Sequence, residues 1–256
     1  MSLATEFNPE LVRRYDGAGP RYTSYPTAPQ FSNQFGGDQF LKSIKESNED
    51  PIPRALSLYA HIPFCFSPCF YCGCNRIISR DASRKQQYLE HLLREIRMLA
   101  PLFDNDREVI QLHLGGGTPN SLDTSQLSEL MDQFARGFRF TSERDREFSI
   151  EIDPRTVDEA DIPVLRSIGF NRVSLGVQDF DPKVQQAINR QQSTAKIIDL
   201  HAACRQSGFS SVNFDLIYGL PMQNAETFAA TLDTVVQIRP DRIALYSYAH
   251  MPELFK

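Results

Sequence analysis

The stretch HIPFCFSPCFYCGCN, residues 61–75, carries four of the chain's five cysteines within ten residues. Cys65, Cys69 and Cys72 have the spacing C-x3-C-x2-C, and Cys74 follows two residues later. Three or four thiolates on one short loop suit zinc or an iron–sulfur cluster, because both bind soft sulfur ligands. A loop with only three ligands leaves one coordination position open, which is typical of a catalytic metal centre.

Two other interpretations of the cysteines are weaker. A structural zinc site needs a second pair of closely spaced ligands, and the sequence has none. A thioredoxin-like C-x-x-C pair opens a helix and needs no further cysteines, so Cys69 and Cys72 do not fit that pattern well. Cys204 lies far away on an apolar helical stripe, and we predict that it is a buried core thiol.

The bulk properties predict a cytoplasmic protein with no nucleic-acid or membrane partner. The 256 residues include 27 basic and 32 acidic side chains, a net charge of −5 that argues against non-specific binding to nucleic acid or anionic lipid. The first residues lack the pattern of a secretory signal, and no apolar run approaches the ~20 residues that span a bilayer. In a reducing compartment the cysteines remain thiols.

From residue 55 onward, short apolar runs alternate with helical patterns, which predicts an α/β fold. The six predicted strands are residues 56–62, 109–115, 148–152, 172–177, 211–217 and 242–248, and the predicted helices are 84–99, 125–134, 156–168, 195–206 and 226–238. Strands joined by crossover helices form a parallel sheet, either open or curled into a partial barrel. In both arrangements chemistry lies at the carboxyl ends of the strands.

Every predicted strand end carries polar or glycine-rich sequence, which favours an enzyme over a structural protein. The cysteines follow the first strand, and the other positions are GGGTP at 115–119, Glu151 with Asp153, Gln178 with Asp179, Asp215, and Tyr248 with His250. Before the first strand the sequence differs, because GPRYTSYPTAP at 19–29 has three prolines that a regular helix does not accommodate. We therefore predict an extended N-terminal arm over residues 1–53 and a barrel domain over residues 54–256.

The C-x3-C-x2-C motif directly after the first strand resembles the radical S-adenosylmethionine (SAM) enzymes. The motifs GPRYTSYPTA, SLYAHIPFC, YCGCN, LHLGGGTP, SIEIDP, GVQDF and FDLIYGLP are similar, from about residue 19 to residue 254, to the oxygen-independent coproporphyrinogen III oxidase family. The resemblance implies a partial (β/α)6 radical-SAM barrel with an extended N-terminal arm. Members of this family continue into a C-terminal helical domain that is absent here, so the resemblance suggests a fragment of uncertain activity.

The resemblance also implies a reaction. In that family a reduced [4Fe–4S] cluster donates an electron to SAM, and the resulting 5′-deoxyadenosyl radical abstracts hydrogen from a propionate of coproporphyrinogen III. Two oxidative decarboxylations then give the vinyl groups of protoporphyrinogen IX in anaerobic haem biosynthesis. The implied partners are this substrate and a reductant such as flavodoxin or ferredoxin, and the expected state is a monomer.

The resemblance assigns residues to these cofactors. Cys65, Cys69 and Cys72 match the cluster ligands, and Cys74 matches a fourth cysteine that is not expected to be a ligand. The positions that match contacts to a first SAM are Tyr59, Gly116 and Glu151, and those for an expected second SAM are Tyr71, Gly117, Thr118, Gln178, Arg190, Asp215 and Ala249. Because the substrate is tetra-anionic, Arg21 in the arm is a candidate substrate contact.

Several alternatives stay open. GGGTP could be only a tight turn, Asp215 a structural hydrogen-bonding partner and Arg190 a solvated cation at a helix end. A haem chaperone, which binds a tetrapyrrole without transforming it, shares the cluster motif and the barrel. That relative is expected to lack the RYTSYP arm and the cysteine at position 74, so the oxidase is favoured. A zinc-binding protein without catalysis is the third possibility.

Overall fold

The computed structural model describes residues 7–17, 30–143 and 146–250. The chain divides into two units, Met1–Glu46 and Ser47–Lys256. This division lies before the predicted boundary after residue 53, because Arg107 binds the segment in between. Its guanidinium donates to Ser47 Oγ at 2.8 Å, to Asn48 Oδ1 at 2.9 Å and to the Arg54 carbonyl oxygen at 2.9 Å.

The region predicted as an extended arm contains two helices, α1 at Pro9–Tyr15 and α2 at Gly37–Asn48. The extended-arm prediction is therefore wrong for these residues. Helix α1 forms because the Asn8 side chain accepts hydrogen bonds from two backbone N–H groups of the first turn. Helix α2 has apolar residues at helical spacing, and one of them, Ile44, is buried. The proline-rich segment 19–29, with Arg21, lies outside the described residues.

The larger unit is built on a parallel sheet. Its strands are β1 Leu56–Ile62, β2 Phe64–Cys65, β3 Ile77–Ile78, β4 Glu108–Gly116, β5 Arg139–Phe140, β6 Glu147–Ile152, β7 Arg172–Gln178, β8 Ser211–Tyr218 and β9 Arg242–Ser247. Its helices are α3 Ala82–Leu99, α4 Thr124–Gly137, α5 Asp161–Ile168, α6 Pro182–Ala187, α7 Thr194–Gln206 and α8 Ala225–Ile238. All six predicted strands are confirmed.

The strand order is β1-β4-β6-β7-β8-β9, with the short β5 beside β4 and a separate pair β2-β3. All of these pairings are parallel. Because the order follows the chain without reversing, right-handed crossovers place the connecting helices on one face of the sheet. A doubly wound sheet would reverse its order, so the topology agrees with the predicted partial barrel.

The two faces of the sheet differ in chemistry. Along β6, Phe148, Ile150 and Ile152 are buried in the core, whereas Glu147, Ser149 and Glu151 alternate with them and are half-buried. The polar face lines a cavity of about 440 Å³, which we call the inner cavity. The side chains that line it include Gln111, His113, Glu147, Ser149, Glu151, Arg172, Ser174, Asn213, Asp215, Arg242 and Tyr246.

Two helical segments differ from the prediction. Helix α5 begins at Asp161 rather than at residue 156, because the chain first makes a 3-10 turn at Pro154–Thr156 that the Asp153 side chain caps. Helix α6 was not predicted. It is only six residues long, and the Asp181 side chain starts it by accepting the N–H groups of Lys183 and Val184.

Candidate metal and cofactor site

The cysteine loop, residues 63–79, leaves the carboxyl end of β1 and is closed at its base by the β2-β3 pair. The Pro63 carbonyl accepts the N–H of Ile77 at 2.7 Å, and the Cys65 carbonyl accepts the N–H of Ser79 at 3.0 Å. These bonds hold the two ends of the loop side by side. The cysteines are therefore presented from a fixed base.

The far side of the loop is attached to the segment after α6. The N–H of Phe70 donates to the Ile188 carbonyl at 3.0 Å, and the Asn189 side chain donates to the Pro68 carbonyl at 2.7 Å. Asn189 has a left-handed backbone with φ of 53°, which asparagine tolerates better than most residues. The sequence separation of 121 residues explains why no sequence pattern revealed this attachment.

Two of the predicted ligand thiols receive hydrogen bonds from buried or half-buried groups. Thr118 Oγ1 donates to Cys65 Sγ at 3.3 Å. Cys69 Sγ accepts from two arginines, Arg155 Nη2 at 3.5 Å and Arg190 Nη1 at 3.4 Å. Cationic donors aimed at sulfur favour the thiolate form, which is the form that binds metal.

The thiols differ in their electrostatic surroundings. Burial raises the pKa of Cys65. Cys72 is half-buried and Cys74 is exposed. A hydrogen bond from Cys74 lowers the pKa of Cys72 to about 6, and the same contact raises the pKa of Cys74. The hydrogen bond between these two thiols therefore favours the thiolate at Cys72 over the thiolate at Cys74.

The donor set fits an iron–sulfur cluster. Among the described residues, no group of three His, Cys, Asp or Glu side chains lies close enough to share a single metal ion. Three thiols on one loop are a soft donor set that would leave one iron of a cubane cluster open, and two of the sulfurs accept hydrogen bonds.

A buried ion network connects Cys69 to the end of β6. Asp153 Oδ2 lies 2.7 Å from Arg155 Nη2, and Asp153 Oδ1 lies 3.3 Å from Arg190 Nη2. Burial alone would raise the pKa of Asp153, but the charges of Arg190 and Arg155 outweigh it and hold the pKa below its usual value. Arg190 is 6% exposed, so it is not the solvated helix-end cation that was the alternative.

The three residues predicted for the first SAM gather around two histidines. Glu151 Oε2 accepts the N–H of Gly116 at 3.2 Å, and Glu151 Oε1 lies 3.0 Å from His113 Nε2. The Tyr59 ring stacks on His113 with centroids 5.8 Å apart, and the Tyr59 hydroxyl lies 3.1 Å from His61 Nδ1. The sequence interpretation missed both histidines. His61 lies two residues after Tyr59 on β1, and His113 lies opposite Tyr59 on β4.

The glycine-rich turn approaches the protein's own atoms closely. Gly116 has φ of 120°, and a Cβ there would lie 2.7 Å from the His61 ring. A Cβ at Gly117 would lie 2.6 Å from the Pro63 carbonyl oxygen and 3.0 Å from Cys65 Sγ. In the structure Gly116 lets the turn pack against His61, and Gly117 lets it pack against the cysteine loop. The approach of a ligand to these glycines stays a prediction.

Several of the residues predicted for the second SAM lie near Arg190. Arg190 and Gln178 meet at Gly176, where a Cβ would lie 2.6 Å from Arg190 Nη2 and 3.0 Å from Gln178 Nε2. The Tyr71 ring packs against a small cluster that includes Val184, and burial raises the pKa of its hydroxyl. Gln178 is buried with φ of 66°, a strained conformation for a non-glycine residue.

The remaining predicted contacts to the second SAM have partners of their own. Thr118 binds Cys65 and Gly117 packs beside it. Asp215 accepts hydrogen bonds from Ser174 Oγ at 2.9 Å and Asn213 Nδ2 at 2.8 Å, and burial raises its pKa to about 6. Ala249 is exposed beyond the end of β9.

The family model of the radical SAM superfamily matches residues 59–235, which cover the cysteine loop and most of the parallel sheet. The chain belongs to the radical SAM superfamily. Among curated proteins it is similar to the oxygen-independent coproporphyrinogen III oxidases of Pseudomonas aeruginosa and Escherichia coli, with 46% and 48% identity over 96% of this chain. The matched regions are 53% and 52% of those two proteins, so the chain spans about half their length.

Solved structures agree with this assignment. The coproporphyrinogen III oxidase HemN from Escherichia coli, described as a radical SAM enzyme, matches 98% of this chain and 54% of its own, with a TM-score of 0.87 and 45% identity. The radical SAM methyltransferase TsrM from Kitasatospora setae matches 73% of this chain and 35% of its own, with a TM-score of 0.50 and 15% identity. At that identity the likeness shows the fold alone.

Among the described residues, no helix has both the length and the hydropathy of a membrane span.

Proposed function

We propose that this chain binds a [4Fe–4S] cluster through Cys65, Cys69 and Cys72 and forms the catalytic barrel of an enzyme that oxidatively decarboxylates coproporphyrinogen III. The observation that carries the proposal is the cysteine loop itself. It presents three thiols at the carboxyl edge of a partial barrel, with donors from Thr118, Arg155 and Arg190 on two of the sulfurs. Chains similar to this one along nearly its whole length are named as that oxidase.

The proposed contacts to a first SAM are Tyr59, Gly116 and Glu151. They are supported by their position, because the Glu151 carboxylate already accepts the N–H of Gly116. A carboxylate and a backbone turn beside a cluster suit the amino and carboxylate groups of an amino acid. His113 holds this arrangement, since it contacts Glu151 on one side and the Tyr59 ring on the other.

A second SAM is proposed at the positions that include Arg190, Gln178 and Asp215. Arg190 is buried and donates to the Gly176 carbonyl at 2.8 Å, so its guanidinium is held in one orientation. A fixed guanidinium suits a carboxylate ligand. The count of two is tested by titrating SAM into the cluster-loaded protein and measuring its stoichiometry by calorimetry. A stoichiometry of one would contradict it.

When bound, the cluster and SAM supply the one-electron chemistry that removes a hydrogen atom from a propionate side chain of the substrate. Loss of carbon dioxide from that side chain, with transfer of one further electron to a one-electron acceptor, leaves a vinyl group, and two such reactions give protoporphyrinogen IX. The protein's part is to hold the cysteine loop, orient Glu151 and Tyr59, and keep the buried arginines beside the cluster. We propose a cytoplasmic monomer that receives electrons from a flavodoxin or ferredoxin. Arg21 remains a proposed substrate contact.

The test begins with anaerobic reconstitution using iron and sulfide, followed by absorption and EPR spectra with and without SAM. We expect about four irons per chain and a spectrum that SAM changes. Alanine at Cys65, Cys69 or Cys72 is expected to abolish iron binding, whereas Cys204→Ala removes a distant core thiol and is expected to retain it. A colourless zinc protein would contradict the cluster.

Incubation with coproporphyrinogen III, SAM and a reductant under anaerobic conditions tests the reaction itself. Formation of vinyl groups is the expected outcome. A cluster-loaded protein that binds the tetrapyrrole but never forms vinyl groups would instead support the haem-chaperone alternative. A cluster whose spectrum ignores SAM would exclude the radical reaction.

A further inference from the structure

Arg155 is a half-buried cation that no assignment to SAM or substrate uses. It lies in the 3-10 turn directly after β6, and its side chain is 18% exposed. The guanidinium has three kinds of partner. It binds both oxygens of Asp153, donates through Nη1 to the Asn189 carbonyl at 3.2 Å, and donates through Nη2 to Cys69 Sγ at 3.5 Å.

The planar guanidinium fixes the direction of the bond to sulfur. Arg155 Nε lies 3.0 Å from Asp153 Oδ1 while Nη2 lies 2.7 Å from Oδ2, so the carboxylate holds two nitrogens of the fork at once. The remaining N–H groups then point in set directions, toward Asn189 and Cys69. A lysine in the same place would keep the charge but would lose this geometry.

Cys69 and Cys65 differ in the charge around them. Two arginines donate to Cys69 while one carboxylate, Asp153, partners both of them, so the group beside this sulfur has one excess positive charge. At Cys65 the donor is the neutral Thr118 hydroxyl. Positive charge and N–H donors at a cluster sulfur stabilise the reduced cluster, which carries one more electron, relative to the oxidised cluster.

We propose that Arg155 is a positioning residue that raises the reduction potential of the cluster through its bond to Cys69, so that a low-potential one-electron carrier can reduce it. The inference rests on the proposed cluster. In the step concerned, one electron passes from the carrier to the cluster, and the guanidinium stays protonated throughout. Arg155 differs in this from Arg190, which is also a proposed contact to SAM.

The test is an EPR-monitored redox titration of the reconstituted protein, with iron and sulfide content measured first. In Arg155→Met both the charge and the N–H donor are removed. We expect the ratio of reduced to oxidised cluster at a fixed potential to fall about tenfold, which is a shift of about −59 mV for a one-electron couple. Arg155→Lys keeps the charge and loses the fork, so its shift is expected to be smaller and of the same sign.

The matched control is Arg166→Met. Arg166 lies on α5 and donates to the carbonyl of Gly208 at 3.1 Å, so it too is an arginine that binds a backbone carbonyl. Because it contacts no cysteine among the described residues, we expect the midpoint potential of this variant to equal that of the wild type.

The outcomes separate the two proposals. If the wild type assembles no cluster, the proposed function itself fails. If Arg155→Met carries full iron and keeps the wild-type midpoint, Arg155 only neutralises Asp153 and the inference is overturned. If Arg155→Met fails to assemble a cluster, Arg155→Lys decides by its midpoint, and an unchanged value overturns the inference. If neither variant holds iron, Arg155 acts on assembly and the inference is likewise overturned.

Discussion

Two carboxylates of the same sheet, Asp153 at the end of β6 and Asp215 within β8, have opposite electrostatic surroundings. Asp153 is 8% exposed and lies between two guanidinium groups. Asp215 is half-buried and is held by the neutral donors Ser174 and Asn213. Burial acts to raise the pKa of both carboxyls. For Asp153 the arginine charges outweigh burial and lower the pKa, whereas the pKa of Asp215 rises to about 6.

The comparison shows that the partners of a buried carboxylate, more than its burial, decide whether it keeps its charge. Asp153 keeps a fixed charge beside the cysteine loop, where it holds two arginines against Cys69. Asp215 faces the inner cavity, where nearby Glu151 raises its pKa further. One end of the site is therefore electrostatically fixed, and the other can change its charge near neutral pH.

The largest effect is expected from removing the fixed charge. Asp153→Asn leaves Arg155 and Arg190 buried without a carboxylate, and breaking a buried ion pair in this way costs about 3–5 kcal/mol. We expect the free energy of unfolding, measured by anaerobic urea denaturation of the metal-free protein at pH 7, to fall by that amount.

The matched control is Asp158→Asn. Asp158 is 87% exposed and pairs with Lys196 at 3.4 Å. An exposed pair contributes about 0–1 kcal/mol, so this variant is expected to unfold almost like the wild type. If Asp153→Asn lost no more stability than this control, the buried network would not be the stabilising element that the comparison requires.

A smaller effect of opposite sign is expected at Asp215. The folded protein keeps a proton on this carboxyl between the unfolded pKa of 3.8 and the folded value of about 6, whereas the unfolded chain has released it. Wild-type stability from this group is therefore present below pH 3.8 and is lost as the pH rises to about 6. An asparagine side chain does not titrate. The free energy of unfolding of Asp215→Asn is therefore expected to rise relative to that of the wild type as the pH goes from 3.8 to about 6.

The gain is limited by the size of the pKa shift. About two pH units correspond to about 3 kcal/mol at most, and the altered hydrogen bonds with Ser174 reduce it to about 1–3 kcal/mol. Urea denaturation of both proteins at pH 4, 5, 6 and 7 measures the difference. Asp153→Asn serves as the contrasting variant. Its loss in free energy of unfolding relative to the wild type is fully present above pH 3.8 and does not shrink toward pH 7. A difference for Asp215→Asn that stays flat with pH would refute the assigned charge state.

Much of this arrangement was visible in the sequence. The alternation of apolar runs and helical patterns predicted the six main strands, and the rule that chemistry lies at strand ends placed Cys65, Gly116 and Glu151 at one edge of the predicted sheet. That success has a physical reason. Strand periodicity and strand order are local properties of a parallel sheet, and they determine which ends are neighbours.

The arginine network was not visible, because it depends on contacts across long stretches of chain. Arg190 meets Asp153 across 37 residues and Cys69 across 121 residues, and nothing near Arg190 distinguishes a buried cation from a solvated one. The polar inner face was also missed. Buried parallel strands are usually apolar on both faces, whereas FSIEI alternates, and that alternation was the available signal.

The smallest effect sharpens the comparison within the inner cavity. Ser174 Oγ donates to Asp215 Oδ2 at 2.9 Å, and this bond favours the charged carboxylate. Ser174→Ala removes the donor, so we expect the pKa of Asp215 to rise further above about 6, with a loss of about 1 kcal/mol in stability at pH 8. Carbon-13 NMR of labelled aspartate carboxyls follows the titration directly.

Ser149→Ala is the control, because Ser149 faces the same cavity from β6 but contacts His113 instead. A pKa of Asp215 that fell in Ser174→Ala, or that moved equally in both variants, would mean that the cavity as a whole, and not this hydroxyl, sets the charge of Asp215.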